Sequence, residues 1–103
     1  MMSLQIVSSF DEENDRWRIE LSGEIDISTA KIFRETLEKV YQDKQKDISL
    51  HFDQLTYIDS TGLGVIIGAY GKMKEKNNRI QILNPKQNIK KLLTITSLDQ
   101  ILL

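Results

Sequence analysis

The chain has 103 residues, enough for one domain with a single modest core, and we predict one domain spanning residues 1–103. Its 14 basic and 15 acidic residues give a net charge of −1, which offers no electrostatic basis for binding nucleic acid or an anionic membrane. The sequence contains no cysteine, which excludes a disulfide framework and a thiolate metal site. It also shows no membrane-spanning apolar run and no signal peptide, so we expect a cytoplasmic protein.

The first part of the chain predicts an antiparallel hairpin followed by a helix. Residues 4–10 and 16–22 have the pattern of strands, and the acidic segment between them has that of a turn. Residues 23–27 break the strand pattern, and Ser28 or Thr29 is expected to cap a helix that ends near Asp43. The apolar face of this helix consists of Ala30, Phe33, Leu37, Val40 and Tyr41.

The second part predicts alternating strands and helices. Residues 47–53 alternate as a half-buried strand, with Ser49 and His51 on its polar face, and a helix follows Asp59. Asn77 and Asn78 are suited to the left-handed conformation that closes a helix. Residues 79–83 predict a fourth strand, Asn84 and Pro85 the start of a third helix, and residues 101–103 a short final strand.

These elements predict an α/β fold with a mixed sheet of four to five strands. Three strands alternate sharply between apolar and charged side chains, whereas a sheet covered on both faces would have continuous apolar runs. We therefore expect the helices to pack mainly on one face, with the later strands parallel and joined by right-handed crossovers. The predicted core consists of Trp17, Ile19, Leu21, Phe33, Leu37, Ile48, Leu50, Phe52, Ile66, Tyr70 and Leu92.

The turn between the third strand and the central helix has two interpretations. The turn consists of Asp59, Ser60, Thr61 and Gly62. Asp, Ser and Thr side chains accept hydrogen bonds from the amides in the first turn of a helix. We expect Ser60 or Thr61 to cap the helix. The hydroxyl either serves only as this cap, which the residues alone favour, or is presented for phosphorylation at the positive end of the helix.

The central helix is rich in glycine. Gly64, Gly68 and Gly71 share one helical face, and each interior glycine costs about 1 kcal/mol relative to alanine. The face either packs closely against the sheet or first helix, or it forms a smooth surface for a partner's backbone. The residues do not decide between these alternatives.

The residues favour a binding protein over an enzyme, with no catalytic residue, metal or cofactor. His51 is the only histidine and falls on the polar face of a strand, where a solvated side chain is expected. The glycine-rich turn lacks the lysine of a phosphate-binding loop. Asp53 and Asp59 are placed as in a phospho-accepting receiver, but the acidic pair and lysine of such a site are missing. No base is visible that would activate Ser60 as a nucleophile.

Two segments together resemble the STAS domain of bacterial anti-sigma factor antagonists. The first is Leu-Ser-Gly-Glu-Ile-Asp at residues 21–26, followed by Thr29 and Ala30. The second is Tyr-Ile-Asp-Ser-Thr-Gly-Leu-Gly-Val at residues 57–65. Their spacing and their order relative to the predicted elements match the family pattern, and the resemblance covers essentially the whole chain.

This resemblance implies a partner-switching role in transcription regulation. In such proteins the serine after the aspartate, here Ser60, is phosphorylated by an anti-sigma factor that is also a serine kinase. The unphosphorylated form binds that anti-sigma factor and releases a sigma factor. The resemblance places Asp26 near the phosphorylated turn, and the position of Ser60 in the motif favours it as the switch over a role as a cap alone. The implied partner-binding residues are Glu24, Asp26, Ser28, Asp59, Ser60, Thr61, Gly62, Leu63 and Gly64.

The chain departs from the family pattern at its end, and other family roles remain open. The family usually ends in a further helix after its last strand, whereas this sequence stops at Leu103, so we expect that helix to be missing and apolar surface to be left open to weak homodimerisation. Asn77 and Asn78 replace the usual glycine pair before the fourth strand. STAS domains also serve as scaffolds in stress-signalling assemblies or as accessory subunits of membrane transport systems, which are roles without an antagonist switch. We expect no direct membrane binding by this chain.

Overall fold

A computed structural model describes residues 3–103 and shows a four-stranded mixed sheet with helices. The strands are β1 (Leu4–Asp11), β2 (Arg16–Ile25), β3 (Asp47–Ile58) and β4 (Ile80–Leu83). The helices are α1 (Ala30–Asp43), α2 (Ser60–Glu75), α3 (Gln87–Ile95) and α4 (Asp99–Leu102). The α/β fold predicted from the sequence is therefore confirmed.

The strands lie side by side in chain order. β1 pairs with β2 in antiparallel orientation, whereas β2 with β3 and β3 with β4 are parallel pairs. Parallel neighbours end at the same edge of a sheet, so the segments that follow β2, β3 and β4 all leave the sheet at one end. This arrangement brings together the two segments that carry the sequence motifs.

One face of the sheet is buried beneath the helices. Ile19, Leu50 and Ile82, on three neighbouring strands, are almost completely buried and belong to the same core as Phe33 of α1 and Leu93 of α3. The opposite face carries exposed charged side chains, including Arg18 and Glu20. The predicted core residues are buried, except that Tyr70 and Leu92 are only partly buried at its margin.

β2 and β3 are longer than predicted, whereas β4 begins one residue later, at Ile80. β2 continues to Ile25 and β3 to Ile58, and the register between them shifts on either side of Gly23. Gly23 has φ of 104°, a conformation that other residues rarely adopt. A register shift of this kind changes which side chains face the core. The alternation of apolar and polar residues therefore ends before the strand itself ends. Ser49 was predicted to face solvent but is only 2% exposed, with its hydroxyl donating to the Trp17 carbonyl over 3.1 Å.

The C-terminal predictions require correction. Residues 99–102 form the short helix α4 where a strand was predicted, and Leu102 is fully buried. The last strand is therefore β4, and α3 and α4 follow it, so the expectation that no further helix follows the last strand is wrong. Pro85 does not begin α3, which starts at Gln87 after Lys86. Asn84 adopts φ of 55° and therefore turns the chain before the helix begins. The left-handed conformation predicted for the end of α2 occurs at Asn77, with φ of 61°.

Candidate functional site

The two motif segments meet where β2 and β3 end. Ile25 and Ile58 are paired in the parallel ladder, and the Asp59 amide donates to the Ile25 carbonyl over 3.1 Å. Residues 26–29 and residues 59–61 therefore leave adjacent strands at the same end of the sheet. We refer to these two segments as the paired-loop surface.

Asp59 is the N-cap of α2, in place of the predicted Ser60 or Thr61. Its side-chain Oδ1 accepts a hydrogen bond from the Gly62 amide over 3.0 Å. Ser60 is the first residue of the helix and its side chain is exposed, as is that of Thr61. The cap consequently does not use the Ser60 hydroxyl, which lies at the positive end of the helix dipole.

Asp26 anchors the turn that precedes α1. Its Oδ1 accepts hydrogen bonds from the Ser28 hydroxyl at 2.6 Å, the Ser28 amide at 2.9 Å and the Thr29 amide at 3.2 Å. The Ser28 hydroxyl contributes most to lowering the pKa of Asp26 below its ordinary value, and the two amides lower it further, because these bonds favour the carboxylate form. Thr29 occupies the N-cap position of α1 without a side-chain capping bond, which corrects the expectation that Ser28 or Thr29 caps the helix.

The Thr29 hydroxyl instead closes the turn from the other side. Its Oγ1 accepts from the Asp26 amide at 2.9 Å and donates to the Glu24 carbonyl at 3.0 Å. Glu24 is partly buried at the end of β2. Together these bonds hold residues 24–29 in a fixed conformation.

Gly62 and Leu63 lie beneath the paired-loop surface. Leu63 is 6% exposed and belongs to the core. A Cβ atom on Gly62 would lie 2.6 Å from Ile25 Cγ2 and 2.8 Å from Ile58 Cγ1. The absence of a side chain at Gly62 thus allows the start of α2 to approach the ends of β2 and β3, and both residues support the turn from inside.

An apolar groove runs between α1 and α2 and begins at Thr61. It has a volume of about 550 Å³, and Leu37, Val65 and Met73 are among its lining residues. Gly64 and Gly68 line it as well, and a Cβ atom on either glycine would meet no other atom within 4 Å. The same holds for Gly71. The glycine face of α2 therefore does not pack closely against the sheet or α1, and that interpretation is wrong. The face is not covered by other parts of the described chain.

The chemistry outside the paired-loop surface is sparse. Among residues 3–103, no group of three or more His, Asp or Glu side chains could hold a metal ion. His51 lies on the open face of the sheet, with its Nε2 3.2 Å from both Arg18 Nη1 and the Ser49 hydroxyl. Within the same residues, no helix is long and apolar enough to cross a membrane.

Comparison with known proteins identifies the family. The family model described as "Mlab, STAS domain" matches residues 8–103, and the chain therefore belongs to the STAS domain family. It is 29% identical over 86 residues to an anti-sigma-B factor antagonist of Staphylococcus aureus, an alignment that covers 84% of this chain and 80% of the relative. That relative is named for antagonising a regulator, in agreement with the prediction of a non-enzymatic protein.

Solved structures show the same fold. The unphosphorylated anti-sigma factor antagonist SpoIIAA superposes with a TM-score of 0.77 at 21% identity, covering 100% of this chain and 86% of that chain. The phosphorylated form of the Bacillus cell fate determinant SpoIIAA superposes with a TM-score of 0.69 at 22% identity, covering 100% and 89%. The likeness confirms the STAS-type sheet and helices.

Proposed function

We propose that this protein is a cytoplasmic anti-sigma factor antagonist whose partner binding is switched off by phosphorylation of Ser60. The observation that carries the proposal is that the helix cap and the exposed hydroxyl at the start of α2 belong to two different residues. Asp59 supplies the cap, and Ser60 beside it exposes a hydroxyl at the helix N-terminus. Because Asp59 and not Ser60 accepts the capping bond, the Ser60 hydroxyl can be presented to a kinase while the cap stays in place.

The names of the relatives supply the partner class. One relative is called an antagonist of an anti-sigma factor, and one solved relative is described in a phosphorylated form. By extension, the partner of this chain is an anti-sigma factor that is also a serine kinase. The unphosphorylated chain binds this anti-sigma factor and thereby releases a sigma factor. Asp26 lies on the same paired-loop surface as Ser60.

Phosphate on Ser60 acts on docking and leaves the fold intact. It adds a charge of about −1.5 to −2 at neutral pH, and the positive end of α2 stabilises that charge within the free chain. At the interface the same charge must be desolvated and lies close to the carboxylates of Asp26 and Asp59. Phosphorylation should therefore weaken the binding of this chain to the anti-sigma factor at least tenfold.

The test is phosphorylation in solution. The chain is incubated with ATP and each purified kinase-type anti-sigma factor of the source organism, and the modified residue is located by mass spectrometry. We expect phosphate on Ser60, loss of modification in Ser60→Ala and its retention in the matched control Thr61→Ala. Modification of Thr61 alone, or undiminished modification of Ser60→Ala, contradicts the assignment. Binding by a chain that no kinase modifies would favour a scaffold role in a stress-signalling or transport assembly.

A further inference from the structure

Ile27 stands out on the paired-loop surface because it is apolar and almost fully exposed. Its relative exposure is 81%, the highest among the large hydrophobic residues within residues 3–103. It lies between Asp26 and Ser28, both engaged in the hydrogen bonds that fix the turn. A single exposed apolar side chain is ordinary on a protein surface, so exposure alone carries no conclusion.

The turn holds Ile27 in a fixed position. On one side the Asp26 carbonyl accepts from the Ala30 amide at 2.8 Å, and on the other the Ser28 amide donates to Asp26 Oδ1 at 2.9 Å. The peptide units before and after Ile27 are therefore both hydrogen-bonded within the turn. An apolar group presented on a rigid turn loses little conformational entropy when a partner covers it.

Ile27 also lies beside the proposed phosphorylation site. It follows Ile25 by two residues, as Ser60 follows Ile58, and Ile25 and Ile58 are paired neighbours in the parallel sheet. A protein that reaches the Ser60 hydroxyl must also approach this turn. The surrounding side chains on the paired-loop surface are polar or acidic, and an apolar centre with a polar rim is the usual composition of a protein interface.

We propose that Ile27 is the apolar anchor by which the kinase-type anti-sigma factor recognises this chain. This inference rests on the proposed function and specifies the partner's complementary chemistry. The kinase presents an apolar pocket beside its phosphoryl-transfer site, and Ile27 fills that pocket while the Ser60 hydroxyl faces the nucleotide. Anchors of this kind account for much of the affinity of an interface and act mainly on the rate of dissociation.

The matched control is Ile95, which is 70% exposed at the end of α3. The other end of α3 lies near the ends of the strands, since the Asn88 side chain donates to the Thr56 carbonyl over 3.0 Å. Seven further residues place Ile95 about 10 Å along the helix from that contact. Ile95→Ala thus makes the same truncation at a comparably exposed site away from the paired-loop surface.

The experiment measures binding and phosphorylation of the wild-type chain, Ile27→Ala, Ile27→Leu and Ile95→Ala with the purified kinase-type anti-sigma factors. For Ile27→Ala we expect a Kd at least tenfold higher, through faster dissociation. Its KM as a kinase substrate should rise with little change in kcat, and its urea midpoint should match that of the wild type. Ile27→Leu and Ile95→Ala should keep Kd within about threefold of the wild type.

The outcomes separate the anchor from the proposed function. If the wild type binds and is phosphorylated but Ile27→Ala behaves identically, the anchor is overturned while the proposed function stands. Equal weakening by Ile95→Ala overturns it as well. If Ile27→Ala abolishes self-association in sedimentation and leaves kinase binding unchanged, the occupant is a second copy of this chain. If the wild type neither binds nor is modified, the proposed function fails and the anchor with it.

Discussion

A single carboxylate oxygen organises the turn before α1. Asp26 Oδ1 accepts hydrogen bonds from the Ser28 hydroxyl and from the amides of Ser28 and Thr29, and the shortest of these is the bond from the Ser28 hydroxyl at 2.6 Å. These bonds suffice to explain an aspartate at this position structurally. They engage only one of the two carboxylate oxygens, so the other can also orient a kinase or the acceptor hydroxyl. The structural role requires a side-chain oxygen that accepts hydrogen bonds, whereas the interface role would require the negative charge of the carboxylate.

Asp26→Ala and Asp26→Asn separate those roles. We expect Asp26→Ala to lower the urea midpoint, because the donors of Ser28 and Thr29 lose their acceptor. Asp26→Asn keeps a side-chain oxygen in place and should retain most of the stability. If the charge serves the kinase, both variants should lose affinity or phosphorylation rate.

Unfolding and partner binding must be measured side by side for the two Asp26 variants. Unimpaired binding and phosphorylation by Asp26→Asn, together with the stability loss of Asp26→Ala, would show that Asp26 only supports the turn. The docking surface would then have to be defined without it.

Among the elements, α2 uses its glycines in two opposite ways. Gly62 lies against Ile25 and Ile58, where even a Cβ atom would come within 2.6 and 2.8 Å of their side chains. Gly68 and Gly71 would direct a Cβ atom into open space. The helix therefore bears the conformational cost of these two glycines without compensating contacts inside the chain.

The same substitution should have opposite effects at the two kinds of site. Gly62→Ala should lower the free energy of unfolding by about 1–3 kcal/mol, because the buried isoleucines must move. Gly68→Ala should raise it by about 0.5–1 kcal/mol, because alanine favours the helix and meets no obstacle. Urea unfolding of both variants tests the pair. Destabilisation by Gly68→Ala would mean that an unseen contact covers this face.

Hydrophobic spacing predicted most elements, because each strand and helix has one face on a single core. It did not predict the ends of β2 and β3, where buried residues change from alternation to the three-residue spacing of Phe52, Leu55 and Ile58. Residues 101–103 are equally apolar in a strand or a helix, so their pattern could not distinguish the two. The burial of Ser49 depends on neighbouring strands, which one segment's sequence does not reveal.

The candidate site was predictable in position more than in detail. The Asp-Ser-Thr run indicated a helix start, but all three side chains can accept a capping bond and only the backbone geometry selects Asp59. The groove between α1 and α2 depends on how far the two helices lie apart, which has no local signature in the sequence. The exposure of Ile27 likewise follows from the hydrogen bonds around it.

For the molecule as a whole, one pH-sensitive group lies on the open face of the sheet. His51 Nε2 is 3.2 Å from both Arg18 Nη1 and the Ser49 hydroxyl. Burial is the main cause that lowers the pKa of His51 below 6.5, and the positive charge of Arg18 lowers it further. Asp53 and Glu20 oppose this shift, and Arg16 adds to it.

The sign of the pH dependence follows from that lowered pKa. Between the folded pKa and the unfolded value near 6.5, the unfolded chain binds more protons at His51, so stability falls as pH decreases through this window. We expect the urea midpoint to decline below pH 6.5 in the wild type and to flatten over the same range in His51→Gln, which cannot be protonated. A second loss, below pH 3.8, should persist in both proteins, because hydrogen bonds lower the pKa values of Asp11 and Asp26 in the folded state. An identical slope above pH 5 in the two proteins would assign the dependence to another group.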